Sequence, residues 1–173
     1  MQTLLPLARD VAALLVQRKE TIAVAESSAG GLLAAALLAV PGASAYFLGG
    51  AVVYTARARR LLMGITNEEM TGLRSSSEPY AALLATRSRE RFGSTWGLAE
   101  TGASGPSGNS YGDAPGHTCI ALSGPDRQGV IVVQAMTLET RDADRERNMR
   151  AFAAAALSAL HERLSRQSEA GPR

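Results

Sequence analysis

The 173-residue chain carries 18 Lys and Arg against 16 Asp and Glu, a net charge of +2, with 46% hydrophobic and 20% charged residues. That balance fits one globular domain able to bury a core without staples, and it offers no basic stripe interleaved with aromatics to hold nucleic acid. A single cysteine, Cys119, and two distant histidines, His117 and His161, exclude a disulfide framework and supply no metal-ligand spacing, so neither metal nor cofactor is expected. No apolar run reaches membrane-spanning length and the N-terminal segment lacks a leader pattern, so the expected location is the cytoplasm, as a soluble protein.

Apolar residues at Leu4, Leu7, Ala8, Val11, Leu14 and Leu15 predict an amphipathic helix over Leu4 to Lys19. Thr21 to Leu38, around which the rest of the chain is organised, reads as a buried strand, a tight turn at Glu26-Ser27-Ser28 and an alanine- and leucine-rich helix stopped by Pro41-Gly42. Ser27 or Ser28 caps that helix, and Gly30 and Gly31 leave N–H groups of its first turn open to an anion or a developing oxyanion. A hydroxyl beside open amides suits a nucleophile; the other reading is plain capping, with glycines that let helix and strand pack closely. The turn is neither a dinucleotide nor an NTP-loop fingerprint.

A loop over 43–48 leads to a strand from Gly49 to Tyr54. Ala56 to Met63 reads as helix and places Arg57, Arg59 and Arg60 near Tyr54, which makes either a patch for phosphate or carboxylate or a solvated helix face. Thr66 to Glu69 resembles a short capped helix, and Ser75 to Pro79 opens another that runs through Ala81 to Phe92 and ends at Gly93. Thr95 to Glu100 is a short strand. It enters Thr101 to Gly116, whose five glycines and two prolines in sixteen residues predict a long functional loop with hydroxyls at Thr101 and Ser104.

His117 to Leu122 and Val130 to Leu138 form a predicted hairpin about Gly124-Pro125-Asp126, with Cys119 a buried inert thiol and His117 a structural histidine. Asp142 to Leu164 is the last helix, and 165–173 is expected to fray. The order of elements predicts a single three-layer α/β/α domain, core about 4–164, on a mixed, mostly parallel sheet. Ser27, Tyr54 and Thr101 each follow a predicted strand, so their loops can meet at one edge of it.

Several motifs in one order carry a family resemblance: Ala25-Glu26-Ser27 followed by Gly30-Gly31, Pro41-Gly42 with Ser44, Tyr54-Thr55, and Thr101-Gly102 with Gly105-Pro106. In these the chain resembles the C-terminal domain of the CinA (competence/damage-inducible protein A) family, whose enzymatic members are nicotinamide-nucleotide amidases. The resemblance runs from about Leu4 to Leu164. It implies metal-independent hydrolysis of nicotinamide mononucleotide to nicotinate mononucleotide and ammonia, and it suggests a homodimer. Departures are Arg59 where the family usually has lysine, Ser28-Ala29 where Cys-Thr is common, Ala56-Arg57 where Asn-Glu is common, and Asn109 to Asp113 where a glycine run is common.

Carried onto this chain, Ser27 is the nucleophile and Tyr54 the tyrosine beside it. Arg59 cannot serve as a base, so it either favours a Tyr54 phenolate that takes the serine proton or binds the substrate phosphate. N–H groups over Ala29 to Gly31 would hold the oxyanion, joined by one from the Thr101 loop, with Glu26 and Ser28 alongside. Arg57, Arg59 or the backbone of Gly102 to Gly105 near Ser104 would bind the phosphate. Two other expectations use the same residues: a catalytically silent nucleotide-binding module, or an amidase for another small carboxamide, for which Arg57→Ala leaves affinity intact.

Overall fold

The computed structural model describes residues 1–168. Helix α1 (Leu5–Arg18) takes Pro6 in its first turn and ends on Lys19, whose φ of 53° is left-handed. It buries one face, Ala8, Val11, Ala12 and Leu15. Strand β1 (Ile22–Glu26) is buried along its whole length, as an apolar run flanked by sheet neighbours on both sides must be.

Helix α2 is shorter than expected, Leu32–Leu38, because Gly30 (φ 67°) and Gly31 (φ 99°) are both left-handed and the turn extends through them. Neither serine caps it. The buried carboxylate of Glu26 does so instead, accepting from Leu33 N at 3.1 Å and Ala34 N at 3.0 Å.

Strand β2 (Phe47–Val52) lies two residues earlier than the pattern suggested. The buried Tyr46 anchors its start, donating its hydroxyl to the Leu37 carbonyl at 2.5 Å, and pairing ends at Val53, so Tyr54 stands beyond the strand. The segment expected to be one helix over Ala56 to Met63 is a short α3 (Ala56–Ala58) that widens into a π-helical turn, Arg59–Met63. Thr66 and Glu69 exchange capping bonds but form only a turn. Helix α4 (Glu78–Phe92) follows a Ser77 cap and ends on Gly93, as expected.

Strand β3 (Trp96–Ala103) runs three residues further than the pattern suggested, so Thr101 and Gly102 are strand rather than loop. Gly102 makes this extension possible: a Cβ there would strike the His117 carbonyl of the neighbouring strand. Strands β4 (His117–Pro125) and β5 (Ile131–Glu139) form the expected hairpin, with Gly124 and Pro125 inside β4 and the turn built on Asp126. Helix α5 (Arg145–Ser168) continues past Leu164, so 165–168 are helical rather than frayed; 169–173 lie outside the described residues.

The sheet order is β2-β1-β3-β4-β5. β1 pairs in parallel with β2 and β3, and the two hairpin pairings are antiparallel, so four strands share one direction and β4 alone is reversed. One face packs on α1, α2 and α5 around Leu33, Trp96, Phe152 and Leu157; the other packs on α4 around Leu84, Met63 and Tyr80. The result is the expected three-layer α/β domain, with the carboxyl ends of β1, β2 and β3 side by side.

Candidate functional site

At that edge lies a cavity of about 330 Å3 bounded by Ser27 from the β1 turn, Tyr54 and Arg59 from the segment after β2, and Thr101 and Gly102 from β3. Ser75, Ser76, Tyr80, Asn109 and Tyr111 complete its lining. Three segments far apart in sequence meet here because parallel strands deliver their following loops to one edge.

Arg59 is the most constrained of these residues. It is 7% exposed; its Nη2 donates to Asn67 Oδ1 at 2.9 Å, while its Nε is buried with no partner among the described residues. A buried guanidinium N–H left unpaired is costly unless something in the cavity completes it. Tyr80 sits against this charge. Burial pushes the Tyr80 phenol up to about 12, the Arg59 charge opposing, so it stays a hydrogen-bond donor at any physiological pH.

Tyr54 is 62% exposed, and its hydroxyl accepts from Arg145 Nη2 at 3.4 Å, not from Arg59. The expected pairing of Arg59 with the Tyr54 phenol is therefore corrected: Arg59 points to Asn67. Arg145 also donates to the Gly105 carbonyl at 2.7 Å, tying that loop to the Tyr54 corner.

The remaining expected residues lie outside the cavity wall. Glu26 is buried as the α2 cap. Ser28 is buried with its hydroxyl donated to Glu100. The amides expected to form an oxyanion hole are engaged: Ala29 N donates to Glu100 Oε2 at 2.8 Å, Gly30 N to the Ser27 carbonyl at 3.2 Å, and Gly31 N to Glu26. Arg57 is exposed to solvent, away from the wall. Ser104 is buried, its carbonyl held by Asn148 at 2.8 Å, and Gly105 faces α5 through Arg145.

Sequence reasoning missed Glu100, the fully buried last residue of the Trp96-to-Glu100 run. Burial raises its pKa, opposed by bonds from Ser28, Ala29, Thr118 and Ser27. Burial likewise raises that of Glu26, and the Glu100 charge adds to it. The two are register partners on adjacent parallel strands. A signal was present: Ala25-Glu26 and Ala99-Glu100 close two apolar strands with the same pair.

The sequence marks the Asn109 to Asp113 segment only as a departure from a glycine run. Asp113 receives Arg74 at 2.5 and 2.9 Å and Asn109 Nδ2 at 2.8 Å, and Arg74 lies 5.7 Å over the Tyr111 ring. Burial opposes the Asp113 charge, but Arg74, Asn109 and His117 outweigh it and hold the carboxyl below its usual range. His117 is bonded at both nitrogens, to Glu139 at 2.5 Å and to the Ser76 carbonyl at 3.0 Å. Burial opposes its charge, yet these partners and Asp113 raise its pKa, and the geometry is that of a clamped imidazolium rather than a base. Cys119 is buried, its thiol pushed up by burial, as befits an inert cysteine.

A larger cavity, about 490 Å3, lies between the β4–β5 hairpin and α5 and contains none of the residues the sequence singled out. No helix among the described residues is long and apolar enough to cross a membrane.

The family model of the CinA C-terminal domain matches residues 4–164. The chain belongs to that family. It is 42% identical over 136 residues to a CinA-like protein of Gloeobacter violaceus, covering 79% of this chain and 32% of the other. A CinA-like protein of Desulfosudis oleivorans is 38% identical over 160 residues, covering 92% of this chain and 38% of the other. The chain thus spans about a third of the length of these relatives. Among solved structures, a competence-damaged protein (CinA) superfamily protein from Klebsiella pneumoniae superposes with a TM-score of 0.83 at 28% identity, covering 94% of this chain and 98% of that one. A competence/damage inducible protein from Agrobacterium tumefaciens gives 0.83 at 29% identity, covering 94% and 95%. The family and the α/β fold therefore stand together on sequence and on shape.

Proposed function

We propose that the chain hydrolyses nicotinamide mononucleotide to nicotinate mononucleotide and ammonia. The observation that carries this reading is the cavity itself, which brings Ser27, Tyr54 and a buried Arg59 with an unpartnered Nε to one edge of the sheet. Arg59 takes the 5′-phosphate, since it brings a fixed guanidinium charge to the cavity wall and a guanidinium matches anionic oxygens. Ser27 Oγ attacks the carboxamide carbon while the Tyr54 hydroxyl relays the proton, taking the serine's as it gives its own to the leaving nitrogen, and ammonia departs. Water then attacks the acyl carbon, its proton passes back through Tyr54 to Ser27, and nicotinate mononucleotide leaves.

The test is ammonia release from nicotinamide mononucleotide by the wild-type chain beside Ser27→Ala, with added chelator. Turnover that survives chelation and vanishes in Ser27→Ala supports the serine reaction; turnover retained in Ser27→Ala refutes it.

A second reading is a nucleotide-binding module without turnover. It is favoured by one pair of facts: Arg59 cannot accept a proton, and the Tyr54 oxygen is already engaged by Arg145. Saturable binding with no ammonia, and activity gained in Arg59→Lys, would select it. The third expectation, an amidase for an uncharged carboxamide, is no longer separated by Arg57→Ala, because Arg57 lies outside the wall; Arg59 is the residue to change. The homodimer suggested by the resemblance is proposed too, and sedimentation equilibrium checks it.

A further inference from the structure

Ser27 and Ser28 are adjacent, so something must decide which hydroxyl meets a ligand. Glu100 stands directly beneath the pair, fully buried at the end of the parallel segment of β3. Its Oε2 accepts from the N–H of Ser27 at 3.1 Å and of Ala29 at 2.8 Å. Its Oε1 accepts from the hydroxyls of Ser28 and, at 2.8 Å, Thr118. The carboxylate therefore grips the turn on both sides of the Ser27–Ser28 link and holds one serine hydroxyl inward. Ser27 is the serine on the cavity wall.

We propose that Glu100 is the positioning residue of this site, the group that selects Ser27 over Ser28 as nucleophile. The inference rests on the serine reading given above. Glu100 touches neither substrate nor reacting atoms; it acts through the turn.

The requirement is for acceptors at two points, and this separates two conservative variants. In Glu100→Gln the amide oxygen can take both N–H groups while the NH2 donates to the Ser28 and Thr118 oxygens, so the turn is kept. In Glu100→Asp the carboxylate is withdrawn by about 1.5 Å, one C–C bond length, and cannot reach both ends of the grip. Neither variant touches Arg59 or Tyr80, so substrate affinity should hold.

The experiment measures kcat and KM for nicotinamide mononucleotide in wild type, Glu100→Gln and Glu100→Asp. Alongside, a small fluorophosphonate labels accessible serine nucleophiles, forming an O–P bond with loss of fluoride, and peptide mass spectrometry locates the label. Expected are kcat within about threefold of wild type for Glu100→Gln and at least about tenfold lower for Glu100→Asp at unchanged KM, in line with the cost of a misplaced reacting group. The label should fall on Ser27 alone in wild type and Glu100→Gln, and should slow at Ser27 or spread to Ser28 in Glu100→Asp. Equal losses in both variants, a wild-type kcat in Glu100→Asp, or KM rising in step overturns the proposal. If the wild-type chain releases no ammonia, the amidase reading fails and the labelling alone decides: the same ranking supports Glu100 as the selector, and label on Ser28, on neither serine, or without ranking overturns it.

Discussion

Replacing Arg59 with methionine separates stability from binding, and the structure says by how much. The side chain is 93% buried, with one bond to Asn67 and one buried N–H that has no partner among the described residues. Methionine fills a similar length without charge. It forfeits a charge-assisted bond of about 1.5–3 kcal/mol and removes an unpaired buried donor that costs about 1–3 kcal/mol, so the ligand-free protein should change by no more than about 2 kcal/mol. The liganded protein should not escape so lightly. At a hundredfold excess over Kd the mononucleotide stabilises wild type by about 2.7 kcal/mol, a Tm rise of about 5–11 °C for a chain of this size. Losing a charged bond to phosphate weakens binding about 10- to 150-fold, which cuts that stabilisation to between about 1.4 and 0.3 kcal/mol at the same ligand concentration. Scanning calorimetry with and without mononucleotide measures both numbers, and nicotinamide riboside, which lacks the phosphate, is the control. An equal Tm rise in both proteins, or an equal loss of riboside binding, would refute the assignment of Arg59 to the anion.

Gly97→Ala should cost about 2–3 kcal/mol in thermal unfolding, since its Cβ would strike the Ala85 carbonyl where β3 meets α4 and a helix backbone cannot yield. His117 has a raised folded-state pKa, so its contribution to stability is complete below 6.5 and is lost as pH rises through the higher folded value. Tm measured from pH 6 to 9 should fall more steeply in wild type than in His117→Gln. Arg74→Ala breaks the pair between the half-exposed Arg74 and the largely buried Asp113, which should lower stability by about 1 kcal/mol. Mononucleotide affinity should nonetheless fall several-fold by titration calorimetry, because Asn109 and Tyr111 lose the group that fixes their segment.

Helices α1 and α4 and the β4–β5 hairpin were legible because their signals are local: apolar spacing, a serine cap, glycine stops and turn residues. The misreadings share a cause. Strand β2 slips toward Tyr46 and β3 extends through Gly102 because of partners across the sheet, which no window of sequence contains. The Ser27 turn looked like an open helix start, but two carboxylates had already filled it, one from its own strand and one from 74 residues after Glu26. Glu100 read as the polar end of a strand: the Ala-Glu pair it shares with Ala25-Glu26 is visible in the sequence, but nothing in that pair says that the carboxyl lies beneath a serine. Arg59 was singled out by its place beside Tyr54 and by the resemblance; that its Nε lacks a partner among the described residues is a fact of packing alone.

On the proposed reaction the filled turn also orients the substrate. A helix N-terminus ordinarily attracts anions, but α2 is seven residues long and its first amides already answer to Glu26, with Glu100 beside them. With those amides taken the turn has little to offer an anion, while Arg59 supplies positive charge elsewhere in the same cavity. On that reading a mononucleotide has one favourable direction: phosphate to Arg59, neutral carboxamide to Ser27. Inorganic phosphate should accordingly compete with the mononucleotide in wild type and lose that effect in Arg59→Met, whereas free nicotinamide should compete in both. Phosphate competition that persists in Arg59→Met would place the anion elsewhere and reverse the orientation.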